Sequence, residues 1–209
     1  MADLTKPRLN VQVPDLEEGA GSWQFEIEQL NPWAWREQVF TPDECDSIIH
    51  LAERKGLRRG RVSGRGDYQK DRLSDIRFLF PDDTTIWMFQ RVTEEIMDLN
   101  QQFFGFDVTG LAEGIQFTRY TAPGENYDWH VDATYQQARR KLSFSVLLSD
   151  PDEYQGGDFQ VMLGREPATL PRERGTMLAF PSYVVHRVTP VTEGTRYSLV
   201  AWITGPAFR

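Results

Sequence analysis

The stretch HRVTPVTEGTRYSLVAWIT, residues 186–204, indicates the fold class, because it contains two runs rich in β-branched and aromatic residues around a glycine-containing break. Similar runs occur earlier in the chain, divided by segments rich in Gly, Pro, Asp or Glu. They are GIQFTRY (114–120), KLSFSVLLS (141–149), DFQVML (158–163) and TMLAF (176–180). The carboxyl-terminal half is therefore predicted to consist of β-strands.

Two helices are predicted upstream of these strands. Thr41 can cap a first helix, with Pro42 at its first position and Glu44 completing a capping box, and Gly56 is a plausible stop. Apolar residues recur at helical spacing from about Asp83 to Phe103 and predict a second helix. Helices followed by consecutive antiparallel strands favour an α+β fold, mainly β, whose strands close into a sandwich or barrel.

The chain has 209 residues, of which 40% are hydrophobic, and this length suits one sizeable core. Residues 1–22 lack a regular pattern and are interpreted as an amino-terminal arm. Residues 23–209 are expected to form a single domain, with the β core at about 110–205.

The charge balance is acidic, with a net charge of −8, which argues against nucleic acid as a partner. One cysteine, Cys45, cannot form an intramolecular disulfide, and the amino terminus lacks the apolar core of a secretory signal. No apolar run is long enough to span a bilayer. We therefore expect a cytoplasmic protein without membrane contact, and the sequence does not indicate an oligomeric state.

His130 and Asp132, in the segment WHVDATY, are two positions apart. On an extended backbone both side chains would point to one face and could bind one metal ion. His186 would supply a third ligand from another strand. Two imidazoles and one carboxylate suit a non-haem iron(II) oxygenase, but a zinc hydrolase can use the same set, and a His-x-Asp pair can also be purely structural.

Arg196 follows His186 by ten residues, and Ser198 would face the same way along a strand. A guanidinium can clamp a carboxylate through two hydrogen bonds, and the hydroxyl can donate to the same group. This pair suits a dicarboxylate ligand. The alternative is an arginine in a structural salt bridge.

Residues 115–202 resemble the prolyl hydroxylase-like family of 2-oxoglutarate- and iron(II)-dependent oxygenases, of the bacterial and viral hydroxylase type. The resemblance is carried by Tyr120, Gly124 and Tyr127 in RYTAPGENYDWHVD, by the Gly156-Gly157 pair, and by FPSYVVHRVTPVTEGTRYSLVAW. It implies a double-stranded β-helix, or jelly roll, with the amino-terminal helices buttressing the larger sheet.

The resemblance also implies roles for individual residues. His130, Asp132 and His186 match the iron ligands, Arg196 matches the residue that binds the distal carboxylate of 2-oxoglutarate, and Tyr120 matches a cosubstrate-contacting tyrosine. Some relatives carry a second tyrosine on this strand, where this chain offers only Leu147 or the nearby Ser143 and Ser145, so Ser198 and Tyr120 are the first candidate hydroxyl partners. Tyr127 and Trp202 match aromatic positions of the pocket wall, although ordinary barrel packing explains them equally well.

The implied reaction is hydroxylation of a C–H bond, with iron(II), 2-oxoglutarate and dioxygen required, ascorbate as an optional addition, and succinate and carbon dioxide as products. The favoured substrate is a prolyl or other amino-acid side chain in a peptide or protein. A free amino acid or other small metabolite is the first alternative, followed by a zinc hydrolase and a non-catalytic jelly-roll binding module.

The segment Arg54–Arg65 is rich in arginine and glycine, which favours a mobile, solvated loop. We predict that it closes over the site and contacts substrate through Arg58, Arg59 and Arg61. A solvated linker without such a role is the alternative.

Overall fold

The computed structural model describes residues 31–60, 72–134 and 137–206. The predicted arm at 1–22 and Arg61 lie outside this part of the chain. Within it are two α-helices, α1 (Pro42–Arg54) and α2 (Ile86–Leu99), and a π-helical segment at Asn100–Phe104. Strands make up most of the remaining regular structure.

Helix α1 begins as its sequence predicts. The backbone N–H of Glu44 donates to the Thr41 hydroxyl over 3.2 Å, and the backbone N–H of Thr41 donates to the Glu44 carboxylate over 2.9 Å. The reciprocal pair satisfies two amides that a helix start would otherwise leave without partners. The helix ends at Arg54, close to the expected stop.

Helix α2 is shorter than the predicted range of 83–103. Its start is delayed because Asp82 and Thr85 form a turn in which the Thr85 hydroxyl donates to the carbonyl of Phe80 over 2.7 Å. At the other end the chain widens into the π-helical segment, which closes at Gly105 with φ 66°. The apolar face of α2 is buried as expected, through Met88, Phe89, Val92, Ile96 and Leu99.

Fourteen strands occur in the described residues. They are β1 (Ala34–Arg36), β2 (Arg58–Arg59), β3 (Arg72–Leu73), β4 (Asp75–Leu79), β5 (Gly110–Leu111), β6 (Ile115–Thr121), β7 (Asn126–His130), β8 (Arg140–Leu147), β9 (Tyr154–Gly156), β10 (Phe159–Met162), β11 (Pro167–Thr169), β12 (Met177–Pro181), β13 (His186–Val188) and β14 (Val191–Thr204).

These strands form two antiparallel sheets. The major sheet has the order β1-β12-β8-β14-β6-β4-β2, and both β5 and β9 also pair with β14. The minor sheet has the order β11-β10-β13-β7-β3. Neighbours distant in sequence, such as β8 and β14, are paired in register over Ser198↔Leu147 to Ile203↔Leu142. The arrangement confirms the predicted jelly roll with a mainly β composition.

The core has two layers. One lies between the major sheet and the helices, where Ile48 of α1 and Val92 of α2 are buried with Phe117 and Phe144 of the sheet. The other lies between the two sheets and includes Val161 and Phe180. The helices therefore cover the outer face of the major sheet, as predicted, while its inner face looks towards the minor sheet.

The basic segment after α1 was expected to be a loop throughout, but part of it forms a strand. Arg58 and Arg59 form β2, which pairs with Ile76 and Asp75 of β4 at the edge of the major sheet. The backbone hydrogen bonds of this pairing outweigh the low strand propensity of the surrounding glycines. In the described ranges, neither helix has the length and apolarity needed to cross a bilayer.

Candidate active site

Three potential metal ligands meet at one end of the minor sheet. His130 ends β7, His186 begins β13, and the two residues are directly paired in the antiparallel ladder. The backbone N–H of Asp132 donates to the carbonyl of Ser182 over 3.0 Å, which fixes the chain just beyond β7. One ligand atom from each of the three side chains lies within 4.8 Å of the others, so the group could hold one metal ion.

Asp132 does not lie on the same strand as His130. The sequence placed both on one extended strand, but β7 ends at His130 and Asp132 follows in irregular backbone. The two side chains still converge, because the Nε2 atom of His130 lies 3.9 Å from Oδ1 of Asp132. The corresponding distance from Nε2 of His186 to Oδ2 is 3.5 Å.

Both imidazoles are oriented by main-chain carbonyls. Nδ1 of His130 lies 2.7 Å from the carbonyl oxygen of Asp128, and Nδ1 of His186 lies 2.9 Å from that of Val184. A carbonyl only accepts, so each Nδ1 must carry the hydrogen, which leaves the Nε2 lone pair for a metal. The tautomer suited to metal binding therefore follows from the backbone geometry.

The electrostatics of the group also suit a cation. Burial and the neighbouring His186 lower the pKa of His130 to about 3, so its imidazole is neutral at pH 7. Burial alone would raise the pKa of Asp132, but His186, His130 and a hydrogen bond from Ser143 hold that pKa below its ordinary value. Neutral His130 and ionised Asp132 are the forms that bind metals.

Ser143 of β8 holds the Asp132 carboxylate. Its hydroxyl donates to Oδ2 of Asp132 over 2.6 Å and lies 3.0 Å from the hydroxyl of Ser182. All three side chains are buried. The major sheet thus supports a ligand that follows a strand of the minor sheet, a contact that the sequence analysis did not predict.

A cavity of about 1070 Å³ opens between the sheets around this group. Its wall includes every described residue that was predicted to bind metal, cosubstrate or substrate. These are His130, Asp132 and His186, then Arg196, Tyr120 and Ser198, and finally Tyr127, Trp202, Arg58 and Arg59. The structure therefore brings the predicted site residues into one space.

Arg196 is buried in the cavity wall without a carboxylate partner among the described residues. It is 3% exposed, and its Nη1 atom donates to the Ser198 hydroxyl over 3.1 Å. Its Nε atom is buried and makes no hydrogen bond within the described ranges. A buried guanidinium without a counter-ion is costly, so this position suits an anionic ligand.

Tyr120 lies beside Arg196 on the neighbouring strand. The two residues are paired across β6 and β14, and the guanidinium carbon lies 5.6 Å from the centre of the Tyr120 ring. Burial raises the pKa of Tyr120, and the charges of Arg72 and Arg196 oppose that rise only in part. The phenol keeps its hydrogen at neutral pH and can act as a donor.

The Gly156-Gly157 pair gives Arg196 its space. Gly157 has φ +65°, and a β-carbon there would come within 2.9 Å of Cδ of Arg196. At Gly156 a β-carbon would meet the carbonyl oxygen of Pro190 at 2.1 Å. The two glycines thus allow a tight strand connection and leave room for the arginine.

The aromatic residues of the wall have defined neighbours. The Tyr127 ring stacks on His130 at a centroid distance of 3.5 Å. The guanidinium of Arg140 lies 3.7 Å from the centre of the Trp202 ring and forms an ion pair with Glu113. Both aromatic side chains thus combine packing with exposure to the cavity.

Arg72 is a cavity residue that the sequence analysis missed. It is 9% exposed, lies on β3 at the edge of the minor sheet and places its guanidinium 4.8 Å from the centre of the Tyr127 ring. In sequence it precedes a short apolar run without any distinguishing spacing. Only the pairing of β3 with β7 brings it to the site.

The family model of the 2OG-Fe(II) oxygenase superfamily matches residues 115–204, the range that contains the three candidate ligands and Arg196. Over this segment the chain is similar to the 2OG-Fe(II) oxygenase superfamily. A PKHD-type hydroxylase of Synechococcus sp. (strain CC9605) is 42% identical over 85 residues, which cover 40% of this chain and 38% of the relative. The chain thus spans well under two thirds of the length of that curated relative.

Solved structures support the jelly-roll fold of the chain. A prolyl-4-hydroxylase of Pseudomonas putida has a TM-score of 0.66 at 20% identity, with 84% of this chain and 94% of that chain covered. A prolyl hydroxylase of Trichoplax adhaerens, in complex with a hypoxia inducible factor peptide fragment, has a TM-score of 0.71 at 16% identity. That comparison covers 83% of this chain and 84% of the other. At these identities the likeness establishes the fold.

Proposed function

We propose that the protein is a 2-oxoglutarate- and iron(II)-dependent dioxygenase that hydroxylates a C–H bond of its substrate. The observation that carries the proposal is the buried Arg196, which has no carboxylate partner among the described residues and shares a cavity with His130, Asp132 and His186. A metal centre and an unpaired guanidinium in one cavity suit a metal-chelating dicarboxylate.

The donor set fits iron(II). His130, Asp132 and His186 would hold it through two neutral nitrogens and one carboxylate, a set that leaves positions for cosubstrate and dioxygen. When bound, iron(II) supplies the redox chemistry by which dioxygen converts 2-oxoglutarate to succinate and carbon dioxide while one oxygen atom enters the substrate as a hydroxyl group.

The remaining residues would bind and orient the reactants. Arg196 would donate hydrogen bonds to the distal carboxylate of 2-oxoglutarate, and the hydroxyls of Ser198 and Tyr120 would donate to the cosubstrate from the same wall. Tyr127 and Trp202 would form the wall on the substrate side. No residue is needed as an acid or base, so the contribution of these side chains is binding and positioning.

The proposed substrate is a prolyl or other amino-acid side chain in a peptide or protein. Support comes from the relatives, which include hydroxylases and a prolyl hydroxylase in complex with a peptide fragment. A free amino acid or small metabolite is the alternative for the same iron site. Ascorbate would serve as an auxiliary reductant.

Arg58 and Arg59 would contact substrate at the mouth of the cavity. Both arginines are exposed, but Arg59 forms ion pairs with Glu125 and Asp75, whereas Arg58 forms none with the residues that the structure describes. Arg58→Gln is therefore the cleaner test, since Arg59→Gln also removes structural ion pairs. We expect Arg58→Gln to weaken substrate binding and flatten its salt dependence. An unchanged salt dependence would remove Arg58 from the substrate site.

The test of the reaction class is turnover of 2-oxoglutarate by the purified chain. Succinate should form only with iron(II) and dioxygen, and His186→Ala should abolish its formation. Hydrolysis stimulated by zinc without succinate formation would favour a hydrolase, and binding without any turnover would favour a non-catalytic module.

The substrate class requires a separate screen. Peptides and free amino acids are incubated with iron(II) and 2-oxoglutarate, and a mass increase of about 16 marks a hydroxylated product. Products confined to free amino acids would overturn the peptide assignment while leaving the reaction class intact.

A further inference from the structure

Arg72 is a second buried arginine in the cavity without a carboxylate partner among the described residues. Its Nε atom donates to the Ser74 hydroxyl over 3.0 Å, and its guanidinium lies against the Tyr127 ring. Tyr127 in turn stacks on His130, one of the candidate metal ligands. Arg72 therefore lies one aromatic ring away from the metal group, on the sheet opposite Arg196.

The charges of the proposed complex leave Arg72 without compensation. Iron(II) brings two positive charges and Arg196 brings a third. Asp132 and the two carboxylates of 2-oxoglutarate bring three negative charges, so these groups balance. Arg72 then remains as a buried positive charge, and such charges are strongly disfavoured unless paired.

The other acidic residues that the structure describes in the cavity wall do not pair with Arg72. Glu113 is paired with Arg140 at 2.7 Å. Asp128 is exposed, and its carboxylate accepts a hydrogen bond from the backbone N–H of Trp129 over 2.7 Å. Among the described residues, the cavity wall carries Arg58, Arg59, Arg72, Arg140 and Arg196 against Glu113, Asp128 and Asp132, although the chain as a whole has a net charge of −8.

We infer that Arg72 binds a carboxylate of the primary substrate and selects for substrates that carry one close to the hydroxylated carbon. The inference rests on the proposed function and narrows its substrate class. The carboxylate has two possible sources, the free α-carboxylate of an amino acid or an acidic side chain in a peptide. Both present the same group to a guanidinium.

The experiment compares matched probes that differ only in this group. One arm uses free amino acids and their carboxamides. The other uses end-blocked peptides that contain Glu or Asp and the same peptides with Gln or Asn. The first readout is stimulation of succinate formation above the rate without substrate, and the second is anaerobic binding of each probe by calorimetry with iron(II) and 2-oxoglutarate present.

We expect the carboxylate probe of at least one arm to bind and to stimulate succinate formation, and its amide to bind at least about tenfold more weakly, because the amide loses the charge-assisted hydrogen bonds to the guanidinium. Arg72→Gln should remove this preference and leave the KM for 2-oxoglutarate unchanged. Arg72→Lys should restore part of it. Arg165→Gln, which removes an exposed arginine outside the cavity wall, should keep the preference.

Equal responses to acid and amide, or no response in either arm, would overturn the inference. A raised KM for 2-oxoglutarate in Arg72→Gln would also overturn it, since Arg72 would then serve the cosubstrate. Failure of the proposed function has a different signature, namely no iron-dependent succinate formation by the wild-type chain under any condition.

Discussion

The hydroxyl of Ser143 donates a 2.6 Å hydrogen bond to Oδ2 of Asp132 and thereby connects the major sheet to a candidate metal ligand. Because Asp132 lies beyond the end of β7, the ladder alone does not fix its side chain. Ser143 should therefore act as a positioning residue for the carboxylate.

Ser143→Ala should weaken metal binding by about 10-fold to 100-fold, the usual effect of removing a partner that orients a ligand. Titration with Mn(II) or Co(II) measures this effect without turnover. Ser145→Ala is the matched control, because Ser145 is buried on the same strand but makes no hydrogen bond to Asp132. Equal metal affinity in all three proteins would contradict the positioning role.

Arg196→Ala should raise the KM for 2-oxoglutarate by about tenfold or more, since it removes charge-assisted hydrogen bonds to a carboxylate. Arg196→Lys should recover part of the loss. The metal affinity should stay within about twofold of wild type, because Arg196 is not a ligand. A normal KM in Arg196→Ala would remove the main support for the proposed cosubstrate.

Gly157→Ala should also weaken the binding of 2-oxoglutarate, although it changes no charge. Its β-carbon would meet Cδ of Arg196 at 2.9 Å, and φ +65° adds backbone strain of about 1–2 kcal/mol. The expected result is a raised KM for 2-oxoglutarate together with a lower melting temperature. Gly164→Ala is the control, because nothing lies within 4 Å of a β-carbon at that position and its φ is not positive.

The start of α1 predicts a pH-dependent contribution to stability. The backbone hydrogen bond from Thr41, with smaller contributions from Arg91, lowers the pKa of Glu44 below its ordinary value. A carboxyl group with a lowered pKa in the folded state stabilises that state above its unfolded pKa, and this stabilisation is lost as the pH falls through the folded pKa.

Glu44→Gln keeps a capping side chain but removes the charge. Its unfolding midpoint in urea should be lower than that of wild type at pH 7, and the gap should close from about pH 4.5 downward. Thr41→Ala should cost about 1 kcal/mol. A gap that stays constant down to pH 3 would show that the Glu44 charge does not contribute.

Much of the fold and of the proposed ligand set could be predicted from local sequence. The β runs after residue 110 alternate clearly enough to indicate strands, and the capping box indicates the start of α1. His130, Asp132, His186 and Arg196 stand out because their spacings are short or regular. For each of these residues, the sequence pattern that identifies it lies within about ten neighbouring positions of the chain.

Other features depend on tertiary contacts that no local pattern encodes. β3 has two residues and forms only because β7 offers an edge, so Arg72 could not be placed in the cavity. Ser143 is one of two serines in β8, and only the approach of Asp132 distinguishes it. The strand β2 likewise depends on pairing with β4, which overrides the loop-like composition around it.

The Nδ1 atoms of His130 and His186 both contact main-chain carbonyls of their own segments, and this affects which cavity residues can be substituted. Nδ1 of each ring contacts a carbonyl two residues earlier in its own segment, so this contact does not depend on Arg72, Arg58 or Trp202. Residues such as Arg72, Arg58 or Trp202 can therefore be exchanged without turning the imidazoles away from the metal position. Substitutions at these wall residues alone should therefore be able to change the substrate specificity of the protein.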